Sequence, residues 1–450
     1  MIKHPDMRGR QVALLLTLCM PGVLFYATLR AEKPWPLSGE PAPAPVKEKQ
    51  DTARKRNCEQ KQIGDLFRKK GKPPKPPKRF SIIALPSISY NPNNGLLLGV
   101  GGCMGWKFGK EPRTLISSSN FMIGVTSKEQ FISYFKSNVY TGNNKFFLQG
   151  DWRYYIYNAP TYGLGTNSPD TVAVKNEFAW LGENTSNLEG VYQLKYNYLK
   201  LHETASYRIF DHFYLGLGYH LDYYYAIEDL SLQRDTLPYQ LTPNYVYSTY
   251  HGFNPNEYML SGVSLNIVYD SRDNMISAYR GIYANLNYRY NFTFMGSNQN
   301  SSALFLEFRA YQPLSKKKPR HLVAFWLMGN FVVSGYYPYM ALPAIGDDQR
   351  NRSGRGYVQG RYRGESLVYG EVEYRFPISQ CSQILGGVVF VNAVTTTNKD
   401  LHTGLFEYIR PAVGIGLRIM LSKFSRTNLS IDYGKGYESQ GLYFTAQEAF

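Results

Sequence analysis

The feature that most constrains this chain is a two-residue alternation of apolar and polar side chains, repeated segment after segment from Phe80 onward. In 281–292, Ile282, Ala284, Leu286, Tyr288, Tyr290 and Phe292 share one face, while Tyr283, Asn285, Asn287, Arg289 and Asn291 share the other. That is the period of a β-strand with one greasy and one wet side. The pattern returns in 213–222, 263–270 and 428–433. A single such strand fits a soluble sandwich as well as a barrel wall, so repetition has to decide. About sixteen segments of this kind can be counted, an even number as single-chain bacterial barrels require. Their connections fall into two classes. Even-numbered junctions are short and polar (GKEP, TGNNK, RIFDH, SKKKPRH, SQCSQ, SKFSR), and the odd-numbered ones include long excursions near 160–189, 228–256 and 340–365. Short turns at one end and long loops at the other are the asymmetry of an outer-membrane barrel.

Beyond the N-terminal run, no stretch reaches the roughly 18 consecutive apolar residues of a membrane helix, so a membrane-spanning form of this chain has to be a closed sheet that satisfies its own backbone groups. Composition agrees. Aromatics make up 15% of the chain, with 39 Tyr against 5 Trp, while only 43% of residues are hydrophobic. Alternating lipid-facing and lumen-facing residues average to near neutrality, and Tyr suits the two membrane interfaces. The expected fold is all-β, a sixteen-stranded antiparallel transmembrane β-barrel.

The expected organisation has three parts. Residues 1–31 read as a signal peptide: Lys3, Arg8 and Arg10 precede an apolar run broken by Pro21 and Gly22, with small residues at Ala27 and Ala31. Residues 32–79, rich in Pro, Lys and Arg, cannot bury a core and read as a periplasmic linker with affinity for anionic lipid or an acidic partner. Residues 80–450 form the barrel. The linker supplies much of the net charge of +16, and in an exported chain this is no sign of nucleic-acid binding. Cys58, Cys103 and Cys381, an odd number at wide spacing, give neither a disulfide framework nor a zinc pattern and read as incidental.

Three motifs go beyond a generic barrel: YDSRDN at 269–274 followed by Gly281, GRGYVQGRYRG at 354–364, and FVNAV at 390–394 with the Gly-rich GIGLRIML and the last strands. Over roughly 80–450, in this order, they resemble the barrel domain of the bacterial surface antigen family, which includes the insertase BamA and its relative TamA. The resemblance implies that the sixth extracellular loop folds into the barrel and that its tip, Arg355, Gly356 and Tyr357, is locked by an acid on the inner wall, Glu373. Strand parity supports the pairing, since Glu371, Glu373 and Arg375 share a face opposite Val372, Tyr374 and Phe376. The chain departs from the family at Asn392, where a second acid is usual. It departs again in 32–79, expected to be too short and Pro-rich for the POTRA domains that receive substrates. Asp270, Arg272 and Asp273 suggest an ion-paired turn at the periplasmic rim ahead of Gly281, and Leu442, Phe444 and Phe450 a closing strand with an aromatic assembly signal.

No nucleophile elbow, phosphate loop or metal-ligand spacing occurs, and Asp347–Asp348 most simply solvates a loop, so no catalytic residue, cofactor or metal is expected. His220 and Asp222, two apart on one lumenal face, are the pair an enzyme reading would use. The expected role is assistance in inserting or exporting outer-membrane or surface proteins in a Gram-negative outer membrane, with lipids, client proteins and a periplasmic protein as partners. A passive pore and a barrel enzyme are the alternatives.

Overall fold

In a computed structural model, residues 60–66, 80–91, 95–109, 114–168, 191–235, 240–379 and 381–450 are described. The expected signal peptide and most of the expected linker lie outside them. Sixteen strands follow the chain in one antiparallel sheet: β1 (Phe80–Asn91), β2 (Gly95–Trp106), β3 (Ser117–Thr126), β4 (Phe131–Tyr140), β5 (Phe146–Thr161), β6 (Tyr192–Phe210), β7 (Phe213–Asp229), β8 (Tyr258–Asp270), β9 (Gly281–Asn291), β10 (Ser301–Pro313), β11 (Leu322–Ser334), β12 (Ser366–Pro377), β13 (Leu385–Thr396), β14 (Arg410–Ser422), β15 (Thr427–Gly436) and β16 (Ser439–Thr445). Each pairs with its sequence neighbours, as a meander of hairpins must. Two short helices, α1 (Ile63–Leu66) and α2 (Pro243–Tyr250), lie outside the sheet. No helix among the described residues is long and apolar enough to cross a membrane.

The alternation read from the sequence becomes two faces. On β7, Leu215, Leu217 and Tyr219 are exposed, whereas Tyr214, His220 and Asp222 are buried. On β12, Val372 and Tyr374 point out and Glu371, Glu373 and Arg375 point in. The inner face is filled by charged and aromatic residues together, as the lumen of a barrel blocked by its own loops demands.

The two ends of the sheet are unlike the rest. β16 has seven residues, and no hydrogen-bonded ladder joins it to β1 among the described residues. Ladder pairing with β15 stops at Ser430↔Thr445, so Thr427–Leu429 have no strand on that side. Residues 447–450 turn into the lumen instead, and Glu448, Ala449 and Phe450 are buried there.

Below the sheet, α1 is fastened to the ends of the short turns. Lys61 N donates to Ser382 O at 2.8 Å, Gln62 Oε1 accepts from Lys423 N at 3.0 Å, and Gln60 Nε2 reaches the Tyr279 hydroxyl at 3.2 Å. Cys381, in the turn before β13, is disulfide-bonded, and Cys103 is free. The cysteines are therefore not all incidental: wide spacing in sequence does not exclude a disulfide.

Candidate functional site: a loop locked across the lumen

The connection between β11 and β12, residues 335–365, is the sixth long-end loop, and it runs through the lumen from one wall to the other. At its near end Arg153 of β5 donates to Asp347 at 2.7 Å and to Asp348 O at 3.1 Å, and Lys136 of β4 donates to Asn351 Oδ1 at 2.9 Å. Asp348 shapes the turn, accepting from Arg352 N at 2.9 Å, Ser353 N at 2.8 Å and Ser353 Oγ at 2.7 Å. Burial alone would raise its pKa, but these bonds and Lys136 hold it below the usual carboxylate range. Both Asp347 and Asp348 thus serve the loop, and no cluster of three or more metal-ligating residues is present among the described residues.

At the far end the loop tip is bound on every side. The Arg355 guanidinium, 1% exposed, donates through Nη1 to Asp432 at 2.8 Å and through Nη2 to both Glu371 and Glu373, and it stacks 3.7 Å above the Phe390 ring. A planar five-donor fork is the one side chain that can engage three carboxylates and an aromatic face together. The acids are themselves tied down: Tyr369 donates to Glu371 at 2.5 Å, Arg375 Nε to Glu373 at 2.6 Å, and Arg418 Nη1 to Asp432 at 2.5 Å. Asn392 Nδ2 donates to the Arg355 carbonyl at 2.9 Å, so it holds the backbone of the tip and leaves the charge to others.

Gly356 follows with φ 108°, where a Cβ would lie 2.9 Å from the Ala412 Cβ; only glycine passes between the loop and β14 without strain. Its N–H meets the Tyr443 hydroxyl at 2.9 Å. The Tyr357 hydroxyl donates to Pro411 O at 2.6 Å, and its ring packs edge-on against Tyr362.

The DSRDN turn differs from the expectation in position and in one partner. Arg272 pairs with Asp270 at 2.7 Å, and Tyr140 donates to the same carboxylate at 2.6 Å, but Asp273 pairs with Arg426 of the β14–β15 turn at 2.7 Å. Residues 274–278 bend up into the lumen and are buried, beyond the rim where sequence placed them. Gly281 leads out with φ 107°, a Cβ there coming within 2.7 Å of Arg272 Cα. Arg350 of the long loop reaches down to Met275 O at 3.0 Å, so the loop from above and the turn from below meet inside.

The residues read as a C-terminal signal separate. Leu442 and Phe444 face outward at 58% and 62% exposure, whereas Phe450 is buried in the lumen 5.3 Å from the Trp326 ring. Arg375 lies over the Phe450 ring and donates to its carbonyl at 3.1 Å. Glu448 explains the bend. In a continued strand it would share the lipid-facing side of Leu442 and Phe444, where an unpaired carboxylate is costly. Turned inward, it accepts from Arg418 Nε at 2.6 Å and Asn428 Nδ2 at 2.7 Å. Burial would raise the Glu448 pKa, but Arg418, Arg375 and Arg320 outweigh it and bring it down to about 2.

His220 and Asp222 border a lumenal cavity of about 230 Å³ but do not form a pair. His220 bonds Ser264 at 2.7 Å, while Asp222 accepts from Tyr198 at 2.7 Å and Arg289 at 2.5 Å and bonds His202 at 2.9 Å.

Sequence reading missed Asp432, Glu371 as a direct partner of Arg355, and the inward tail. Asp432 lies in an alternating segment on the wet face, the only signal that it points to the lumen.

A sixteen-stranded sheet with a long loop pinned inside it by a buried Arg defines an outer-membrane barrel of the self-plugged type. The model of the Omp85 superfamily domain matches residues 191–450, and the chain belongs to that superfamily. Among solved structures it is similar to BamA from Haemophilus ducreyi lacking POTRA domains 1–3 (17% identity, TM-score 0.48, 81% of this chain and 69% of that one). It is also similar to CdiB from Acinetobacter baumannii (13%, TM-score 0.45, 80% and 57%), so it spans little more than half of CdiB. A third similarity is to OccK10 (OpdN) of Pseudomonas aeruginosa (8%, TM-score 0.28, 81% and 95%). No curated protein matches the chain.

Proposed function

We propose that this protein assists the insertion or export of outer-membrane or surface proteins, and that the unpaired edges of β1 and β16 are where a client strand is received. The observation that carries the reading is the seam: β1 offers an open row of backbone donors and acceptors because residues 447–450, which would extend β16, are held in the lumen. An exposed strand edge is a template for a further strand. Passage through the lumen is disfavoured by the loop fastened across it, which argues against a passive pore. The reading is also non-enzymatic, since His220 and Asp222 are committed to different partners. Membership of the superfamily supports the outer-membrane setting, and the clients and any periplasmic partner are part of the proposal.

The test is photocrosslinking in cells from Ile83 or Leu85 on β1, with Val372 in the middle of the sheet as control. Adducts to unfolded outer-membrane proteins from β1 and none from Val372 are expected. Equal labelling from both positions, or a large steady conductance of the purified protein in planar bilayers, overturns the proposal.

A further inference from the structure

One short turn of the barrel stands apart in charge. On the short-turn side, the β10–β11 turn at 314–321 carries Lys316, Lys317 and Lys318 without one carboxylate, and the β4–β5 turn ends in an exposed Lys145. On the long-loop side, acids such as Asp235, Glu257, Asp400 and Glu407 are interleaved with the bases. The basic turns also sit directly against lipid-facing rings. Next to the lysine triplet, Leu314 is 51% exposed and Tyr374 42%, with the Tyr374 hydroxyl bonded to His321 at 2.8 Å and its ring stacked on Phe376. Lys145 lies 5.8 Å from the Tyr207 ring and 6.0 Å from Phe146, both outward-facing.

We propose that the turn 314–321, and more weakly Lys145, bind the headgroups of anionic phospholipids in the membrane leaflet that faces the short turns. Each component has a role at that depth. Leu314 and Phe376 lie at acyl-chain level, Tyr374 and His321 provide a polar tip at the glycerol level, and Lys316–Lys318 meet the phosphates. A solvated basic turn would explain the lysines alone. It does not explain their seat on a ring of outward aromatics, which fixes them at the headgroup plane. Free phosphate lacks the acyl chains that would occupy the apolar part. The inference rests on the outer-membrane location and on the short turns facing the periplasm.

The experiment uses the full chain in nanodiscs of phosphatidylethanolamine with and without phosphatidylglycerol, released for native mass spectrometry of retained lipid. Phosphatidylglycerol should be enriched over its bulk fraction. K316Q/K317Q/K318Q should lose that preference by roughly fivefold per lysine, K145Q should lose less, and K316R/K317R/K318R should keep it. The long-loop control K195Q should change nothing. Equal retention of both lipids, or an unchanged preference in the triple glutamine variant, overturns the proposal, as does full competition by inorganic phosphate or capture of an acidic protein without lipid preference. Orientation is checked separately: labelling of K317C in intact cells by a membrane-impermeant maleimide would place the turn outside, a failure distinct from loss of lipid selectivity.

Discussion

Two walls of this barrel are built on opposite plans. The strands β1, β2 and β3 contain no charged residue, and the inner face of β2 is nearly bare, with Gly99, Gly101 and Gly105 flanking the buried Cys103. By contrast, β12, β14 and β15 aim Glu371, Glu373, Arg375, Arg418 and Asp432 into the lumen, all buried and all bound to one another or to Arg355. The charged wall fixes the long loop. The bare wall leaves room, and there the sheet ends come together through small contacts such as Cys103 Sγ to Thr427 Oγ1 at 3.8 Å. Fixed charge there holds the loop tip, and the uncharged strands leave the seam as the place where the barrel yields, which suits a strand-receiving edge.

The largest test of this contrast is Arg355→Ala. It leaves three buried carboxylates without their shared cation, and breaking a buried ion pair by removing one partner costs about 3–5 kcal/mol. We expect loss of the heat-modifiable folded band on gels and proteolysis within 335–365. Arg355→Lys should recover only part of the loss, because an ammonium cannot span three carboxylates and stack on Phe390. Full stability in the Ala variant would mean that the charged wall does not depend on the loop.

Much of the charged wall is legible in the sequence. Parity along β12 put Glu371, Glu373 and Arg375 on one side of the strand, and a one-residue change of register would have sent all three into lipid, so the alternation was decisive. The loop tip was legible only through a resemblance, because Arg355 is brought to Asp432 across 77 residues that no local pattern connects. The bend at β16 was hidden by the reverse error. Leu442, Phe444 and Phe450 share parity, which invites a continuous strand, but Glu448 shares it too, and that carboxylate on the lipid side was the available warning. Burial of 274–278 was not legible: YDSRDN reads as a polar turn, and its inward course depends on Arg350 and Arg426 from distant loops.

At the seam, Phe450→Ala should have a smaller and more local effect. The ring fills a site between Trp326, Tyr311 and Arg375, and truncating a buried Phe costs about 3 kcal/mol at the lower end of its usual range. The stability of the locked wall should change little, while residues 446–450 leave the lumen. Trp326 reports it: its emission should shift to the red and become open to an aqueous quencher. Retained burial of Trp326 would show that the tail is held by Glu448 and Arg418 alone.

Acid should loosen the same tail more gently. The Glu448 carboxyl is brought down to about 2 from an ordinary value near 4.5, chiefly because Arg418 overcomes the penalty of burial. A group whose folded pKa is depressed contributes its full stabilisation above the unfolded pKa and loses it as pH falls toward the folded one. The window is therefore about pH 4.5 down to 2, with a contribution of at most about 3 kcal/mol. Between these limits the Trp326 signal should drift toward that of the Phe450→Ala variant, while loop 335–365 remains resistant to protease. The same titration in Glu448→Gln is the control. A flat response in that variant assigns the transition to Glu448, and an unchanged one moves the acid-sensitive contact from the seam to the charged wall.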